Sequence, residues 1–146
     1  MLSLLQGFKS EPDFVVWDEL LGRVGAVRAA WTFEDEKVKA ALKKVQCDLV
    51  SEKAHQIGWT FKDSDGHVEQ QFKSLLFGNA GLADDEEVCK AAAEMFEKFK
   101  AGDRSAVHPN LRSSVFAIML SQGGASEVSA FKMISFKEIF LYNYQC

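Results

Sequence analysis

Histidine is scarce in this chain: among 146 residues there are three, His55, His67 and His108. None stands four residues from another and no Cys-x-x-Cys occurs, which excludes the common zinc motifs carried on one helix or knuckle. Cysteine is equally sparse. Cys47, Cys89 and Cys146 are an odd number at wide spacing, a pattern that fits free thiols in a reducing compartment and not a disulfide framework. A basic cluster is missing and the net charge is −4, so the electrostatic footprint of a nucleic-acid binder is absent. Long apolar runs are missing too. The best candidate is interrupted by Lys132, Lys137 and Glu138, so no membrane span is expected. The opening MLSLLQGFK has neither a basic leader nor a long enough apolar core for a secretory signal. The expectation is a soluble, cytoplasmic chain.

What the chain has in quantity is apolar mass: 47% hydrophobic residues, with twelve Phe and three Trp. At this length that favours one compact unit with a sizeable core. The apolar spacing is helical nearly throughout. Val88, Ala91, Ala92, Met95, Phe96 and Phe99 share one helical face, and Glu87, Lys90, Glu94, Glu97 and Lys98 take the other. Asp84 with Glu87 reads as a capping box opening that helix, and Gly102 as its left-handed C-terminal cap. Upstream, Ser10-Glu-Pro-Asp13 reads as a helix start with Pro12 in the first turn, followed by a stripe of Phe14, Trp17, Leu21, Val24 and Trp31. Thr32 and Asp35 are expected to cap a second helix carrying Val38, Leu42, Val45 and Leu49, which continues or restarts through Ile57 to Gly58. A third is expected from about Asp65 to Gly78, with Val68, Phe72 and Leu75 on one side.

No strand pattern is found, so the fold class is all-α, with short polar connections that favour antiparallel hairpins. Glu36-Lys-Val38, Glu86-Glu-Val88 and Ser126-Glu-Val128 each open a helix after a polar or Gly-containing turn, at intervals of forty to fifty residues. Those intervals are near the period of two-helix solenoid repeats.

Candidate chemistry is thin. Arg104-Ser-Ala-Val-His-Pro-Asn-Leu-Arg112 places a histidine beside a proline between two arginines. Pro109 fits a first helical position, the stripe Leu111, Val115, Ile118 and Met119 follows, and Gly123-Gly124 closes it. His108 therefore reads as a turn residue, whose replacement by Ala would cost less than about 1 kcal/mol in an ordinary surface turn. Arg112, in a first turn where the helix dipole disfavours a cation, is expected to pair with a carboxylate, Asp103 being one possibility. Asp63-Ser-Asp65-Gly66 misses the calcium-loop pattern because the Gly comes two positions early and Ser74 stands where the bidentate Glu belongs. Gly78-Asn-Ala-Gly81 has no preceding strand and no following Lys-Ser/Thr, so it is no phosphate loop. Cys47 and Cys89 lie close to apolar faces, as inert thiols do. No catalytic, cofactor-binding or metal residue is assigned.

Several short motifs nevertheless occur in a telling order: Ile57-Gly-Trp59, Gln71-Phe-Lys-Ser-Leu-Leu76, Gly78-Asn-Ala-Gly81, Phe96-Glu-Lys-Phe99 and His108-Pro-Asn-Leu-Arg112. Together they resemble the C-terminal helical domain of the puromycin-sensitive class of zinc aminopeptidases (gluzincins), fungal members in particular. The resemblance covers roughly Leu2 to Ile134. It implies a right-handed α-α superhelix of HEAT-like hairpins that covers the catalytic domain and encloses the peptide-substrate chamber. It places the family's zinc, held by His-Glu-x-x-His and a later Glu, and its Gly-x-Met-Glu-Asn motif elsewhere, since neither motif is present in this chain.

The resemblance implies a partial domain over residues 1–134 and a divergent tail over 135–146. Leu2, Leu4, Leu5 and Phe8 look like the last turns of a helix, and Phe131, Phe136, Ile139, Phe140 and Leu141 crowd the other end. Self-association through such ends is expected. Two functions fit: a non-catalytic piece of an aminopeptidase involved in peptide catabolism, or a free-standing helical-repeat module binding a protein or peptide.

Overall fold

The computed structural model describes residues 7–123. Among them are five α-helices and no strand: α1 (Phe14–Ala30), α2 (Glu36–Ile57), α3 (His67–Leu82), α4 (Glu86–Lys100) and α5 (Arg112–Gln122). Three 3-10 turns, Phe8–Ser10, Arg104–Ala106 and Pro109–Leu111, complete the order. The all-α expectation holds.

Helix starts follow from side-chain oxygens that take up the free N–H groups of the first turn. Asp13 caps α1 by accepting from the Val15 N–H at 2.8 Å. Pro12 therefore lies just outside the helix and not in its first turn. Asp35 accepts from Val38 N at 3.0 Å, and Asp85 from Val88 N at 3.1 Å. The cap of α4 is thus Asp85 and not Asp84, because Asp84 is used one residue earlier to end α3.

There Asp84 takes a left-handed φ of 66°. Its N–H bonds the Gly81 carbonyl and the Asp85 N–H the Ala80 carbonyl, each at about 3.0–3.1 Å. This is the Schellman closure normally built on Gly. The same closure on Gly102 (φ 106°) ends α4, with Asp103 N to Lys98 O at 3.1 Å. Thr32, the other expected cap, instead returns its hydroxyl to the Ala29 carbonyl at 2.8 Å.

Helix α3 runs to Leu82 and carries Gly78-Asn-Ala-Gly81 inside it, four residues past the expected stop. Its inward face is Phe72, Leu76, Phe77 and Ala80, while Val68 is exposed. The glycines do not break the helix, because α5 presses on them. A Cβ at Gly78 would stand 2.8 Å from Ser114 Oγ, and one at Gly81 2.2 Å from Ile118 Cδ1.

These contacts also give the direction of each helix. Phe14 meets Phe72 at one end of α1, and Arg28 reaches Asn79 through Gln46 at the other, so α1 and α3 run parallel. Gly78 faces Ser114 and Gly81 faces Ile118, so α3 and α5 run parallel too. Helix α2 runs against α3, with Gln46 at Asn79 and Trp59, just past its end, at Phe77. Helix α4 runs against α5, with Cys89 at Gln122 and Phe99 at Phe116. Odd helices thus form one layer and even helices a second, the alternation of an α-α superhelix. The core is continuous from Trp17 and Leu21 through Val50, Phe72 and Phe77 to Phe96, Val115 and Ile118.

Asp35 and Asp85 open the two even-layer helices fifty residues apart and make the same bond to a valine N–H. The echo at Glu36 and Glu86 therefore marks equivalent caps. The third echo, Ser126-Glu-Val128, lies outside the described residues, as do Leu2, Leu4, Leu5, Gly124 and the apolar cluster from Phe131 to Leu141.

Candidate functional site

The His108 corner is built from two 3-10 turns that fold the chain from α4 into α5. Pro109 opens the second, with its missing N–H at a position where none is needed. Val107 and Leu111 drive inward, and both are buried. His108 caps that turn by accepting the Asn110 N–H on Nδ1 at 3.3 Å. Its ring stacks on Phe61, with centroids 3.9 Å apart and planes 3° off parallel. Asn110 donates to Gln70 Oε1 at 3.1 Å, tying the corner to α3. The corner reading holds, though His108 does more packing than an ordinary surface residue.

The expected carboxylate partner of Arg112 is not found among the described residues. Its guanidinium carbon sits 5.8 Å from the Phe99 ring centroid, and its Nε is buried without a hydrogen-bond partner. Asp103 is occupied elsewhere, accepting from Ser105 N at 3.0 Å and Ser105 Oγ at 2.6 Å.

The other histidines are equally structural. His55 Nε2 lies 3.0 Å from Asp85 Oδ1, joining the end of α2 to the cap of α4. Burial pushes the Asp85 carboxyl up, but bonds from Ser51, the Val88 N–H and His55 outweigh it and bring the carboxyl below its usual range. His67 meets Gln71 on the exposed side of α3. Among the described residues no group of three or more His, Cys, Asp or Glu could hold a metal ion. Cys47 and Cys89 are free thiols, and burial raises the Cys89 thiol above its usual value.

Two features escaped the sequence reading. Lys73, on α3, is 4% exposed and donates to Asp65 Oδ2 at 2.5 Å and to the Thr60 carbonyl at 2.9 Å. That contact, with the Lys62 N–H, holds the Asp65 carboxyl below its usual range. The loop Asp63–Gly66 is thus pinned by a buried cation, and Gly66 caps α3 without a side chain. A lysine one residue after a core Phe gave no signal of burial, because a charge on a helix normally reads as a solvent face.

The second feature is a groove of about 720 Å³ between α1, α2 and α3. Its floor is a relay across the three helices. Arg28 Nη1 donates to Gln46 Oε1 at 2.6 Å. Gln46, 3% exposed, passes its amide N–H groups to the Asn79 carbonyl and Oδ1 at 3.2 and 3.1 Å. Asn79 Nδ2 returns to Leu75 O at 2.9 Å. Lys39 pairs with Glu36 at 2.8 Å and Lys43 with Asp84 at 2.5 Å. Trp31, 47% exposed, forms a wall, and Phe33, two residues on in the chain, is 99% exposed.

Comparison with known families settles the relationship. The family model for the ERAP1-like C-terminal domain matches residues 1–136. The chain belongs to the ERAP1-like C-terminal domain family. Aminopeptidase 2 of Candida albicans is 47% identical over 116 residues, which are 80% of this chain and 13% of that protein. Aminopeptidase 2, mitochondrial, of Saccharomyces cerevisiae is 34% identical over 124 residues, 85% of this chain and 13% of that protein. Alanine/arginine aminopeptidase of the same yeast is 32% identical over 123 residues, 84% of this chain and 14% of that protein. The chain therefore spans about one-eighth of the length of these relatives.

In this ERAP1-like chain the motifs behind the resemblance are packing joints. Ile57-Gly-Trp59 ends α2 and sets Trp59 on Phe77. Gly78–Gly81 is the contact with α5, and Phe96–Phe99 grips Phe116. His108–Arg112 is the corner itself. Among the described residues no helix is long and apolar enough to cross a membrane.

Proposed function

We propose that this chain serves as part of the domain that covers the catalytic domain of a zinc-dependent aminopeptidase and closes its peptide chamber, and that it has no catalysis of its own. The observation that carries the reading is the match to the ERAP1-like C-terminal domain over residues 1–136, together with relatives named as aminopeptidases. The two-layer alternation supports a HEAT-like array, because such arrays leave one broad face free to line a chamber. In this reading residues 1–134 form the domain portion and 135–146 a separate tail. Zinc, peptide N-terminus recognition and the specificity pocket belong to the rest of the full-length enzyme, since neither His-Glu-x-x-His nor Gly-x-Met-Glu-Asn occurs here. Peptide catabolism in the cytoplasm is the corresponding setting, and free Cys47 and Cys89 suit it.

The test is metal analysis of the purified chain with an assay on aminoacyl reporter amides. Neither stoichiometric zinc nor cleavage is expected. One tightly held zinc per chain with chelator-sensitive cleavage would overturn the reading.

A further inference from the structure

The groove between α1, α2 and α3 contains one cation whose charge the described residues leave unmatched. Lys39 and Lys43 each pair with a carboxylate, Glu36 and Asp84. Arg28 meets only the neutral oxygen of Gln46. That bond fixes the guanidinium without neutralising it, and Gln46 is itself locked by Asn79. The result is an arginine fork aimed in advance, with most of its five N–H donors unspent. Beside it Trp31 offers a half-exposed aromatic wall, and Leu42 and Leu82 line the same groove. A pre-aimed arginine next to an exposed tryptophan is the composition of an interface hot spot.

We propose that this groove binds a polypeptide segment that presents an internal Asp or Glu carboxylate to Arg28 and an apolar side chain to Trp31. Charge complementarity selects the occupant. One unmatched guanidinium fork satisfies one carboxylate, whereas the two lysines beside it are already paired. A membrane surface is the poorer fit, because among the described residues Arg28 stands beside lysines that are already paired, and a single unmatched cation makes no basic patch for a layer of anionic headgroups. The inference does not depend on the aminopeptidase reading.

The experiment follows the indole N–H and backbone amides of the isotopically labelled full chain by NMR. The probes are Ac-Leu-Glu-Leu-amide and its Gln counterpart, each titrated to millimolar concentration. Saturable shifts at Trp31 are expected with the Glu peptide, and binding of the Gln peptide should be weaker by about fivefold. Raising the salt should weaken the Glu peptide alone. Arg28→Gln should reduce the Glu peptide to the level of the Gln peptide, with Arg28→Lys in between. The comparison of the two peptides on the unmodified chain stands even if Arg28→Gln disturbs the fold. Equal shifts from both peptides, no shifts from either, or retention of the chain only on phosphatidylserine vesicles would each overturn the proposal.

Discussion

Replacing Gly81 by alanine should destabilise the fold, although alanine is the better helix former. Gly81 lies inside α3, where the added methyl alone would favour the helix by about 1 kcal/mol. The backbone of α3, however, passes so close to α5 that the new Cβ would stand 2.2 Å from Ile118 Cδ1, 2.6 Å from Ile118 Cγ1 and 3.3 Å from Val88 Cγ1. Ile118 and Val88 are fully buried, so the isoleucine has no empty space to turn into. Two carbons inside contact distance put the cost at the upper end of the usual overpacking range, about 3 kcal/mol. The net expectation is a loss of about 2 kcal/mol, read as a lower urea midpoint at 222 nm with an unchanged slope.

Gly22, on the exposed side of α1, is the control, since a Cβ there meets nothing within 4 Å. Gly22→Ala should stabilise by about 0.5–1 kcal/mol. A double variant, Gly81→Ala with Ile118→Ala, should lose clearly less than the sum of the singles, because each change makes room for the other. If Gly81→Ala were as stable as the parent, or the double variant merely additive, the close approach of α3 to α5 would be wrong.

Other outcomes follow from the same contacts. Phe96→Ala should cost about 3–5 kcal/mol in thermal unfolding, because the ring is buried against Phe116 and its loss leaves a cavity. His108→Ala should cost about 1–2 kcal/mol and not the smaller figure of a free surface turn, since it removes both a cap and the stack on Phe61. Circular dichroism melts would check both. Asp65 and Asp85 titrate below the ordinary range when folded. Such depressed carboxyls add stability above their unfolded-state value, and that stability is lost as pH falls through the folded-state value. The urea midpoint should therefore fall as pH drops below about 4, and less steeply in Asp65→Asn. An identical acid loss in that variant would remove the Lys73 contact as its cause.

The helices were legible in the sequence wherever an apolar stripe and a capping oxygen agreed. Val88, Ala92, Phe96 and Phe99 are buried as their spacing requires, and Asp35 caps α2 as expected. The errors arose where tertiary contact overrode local chemistry. Gly78 read as a stop, yet it and Gly81 are the surface on which α5 sits. Asp84 read as a cap because Asp usually is one, whereas here it takes the left-handed position that Gly usually fills. Lys73 and Gln46 are polar side chains with no local mark of burial. Their partners, Asp65 and Thr60 in one case and Arg28 and Asn79 in the other, are known only once three helices are brought together. The family was legible in five short motifs because those residues form the joints between helices.

Among the described residues helix α3 touches all four other helices, while α1 rests chiefly on α2 and α3 and leaves Val15 bare on its outer side. That inequality should divide the chain by the rate at which its amide protons are replaced in heavy water. Protons in the middle of α3 can leave only when the whole fold opens, so their exchange measures global stability. Those of α1 need only a partial opening that sheds one layer's edge and leaves the remaining helices assembled. The chain should thus loosen from its α1 side inward, with α3 the last helix to let solvent reach its backbone.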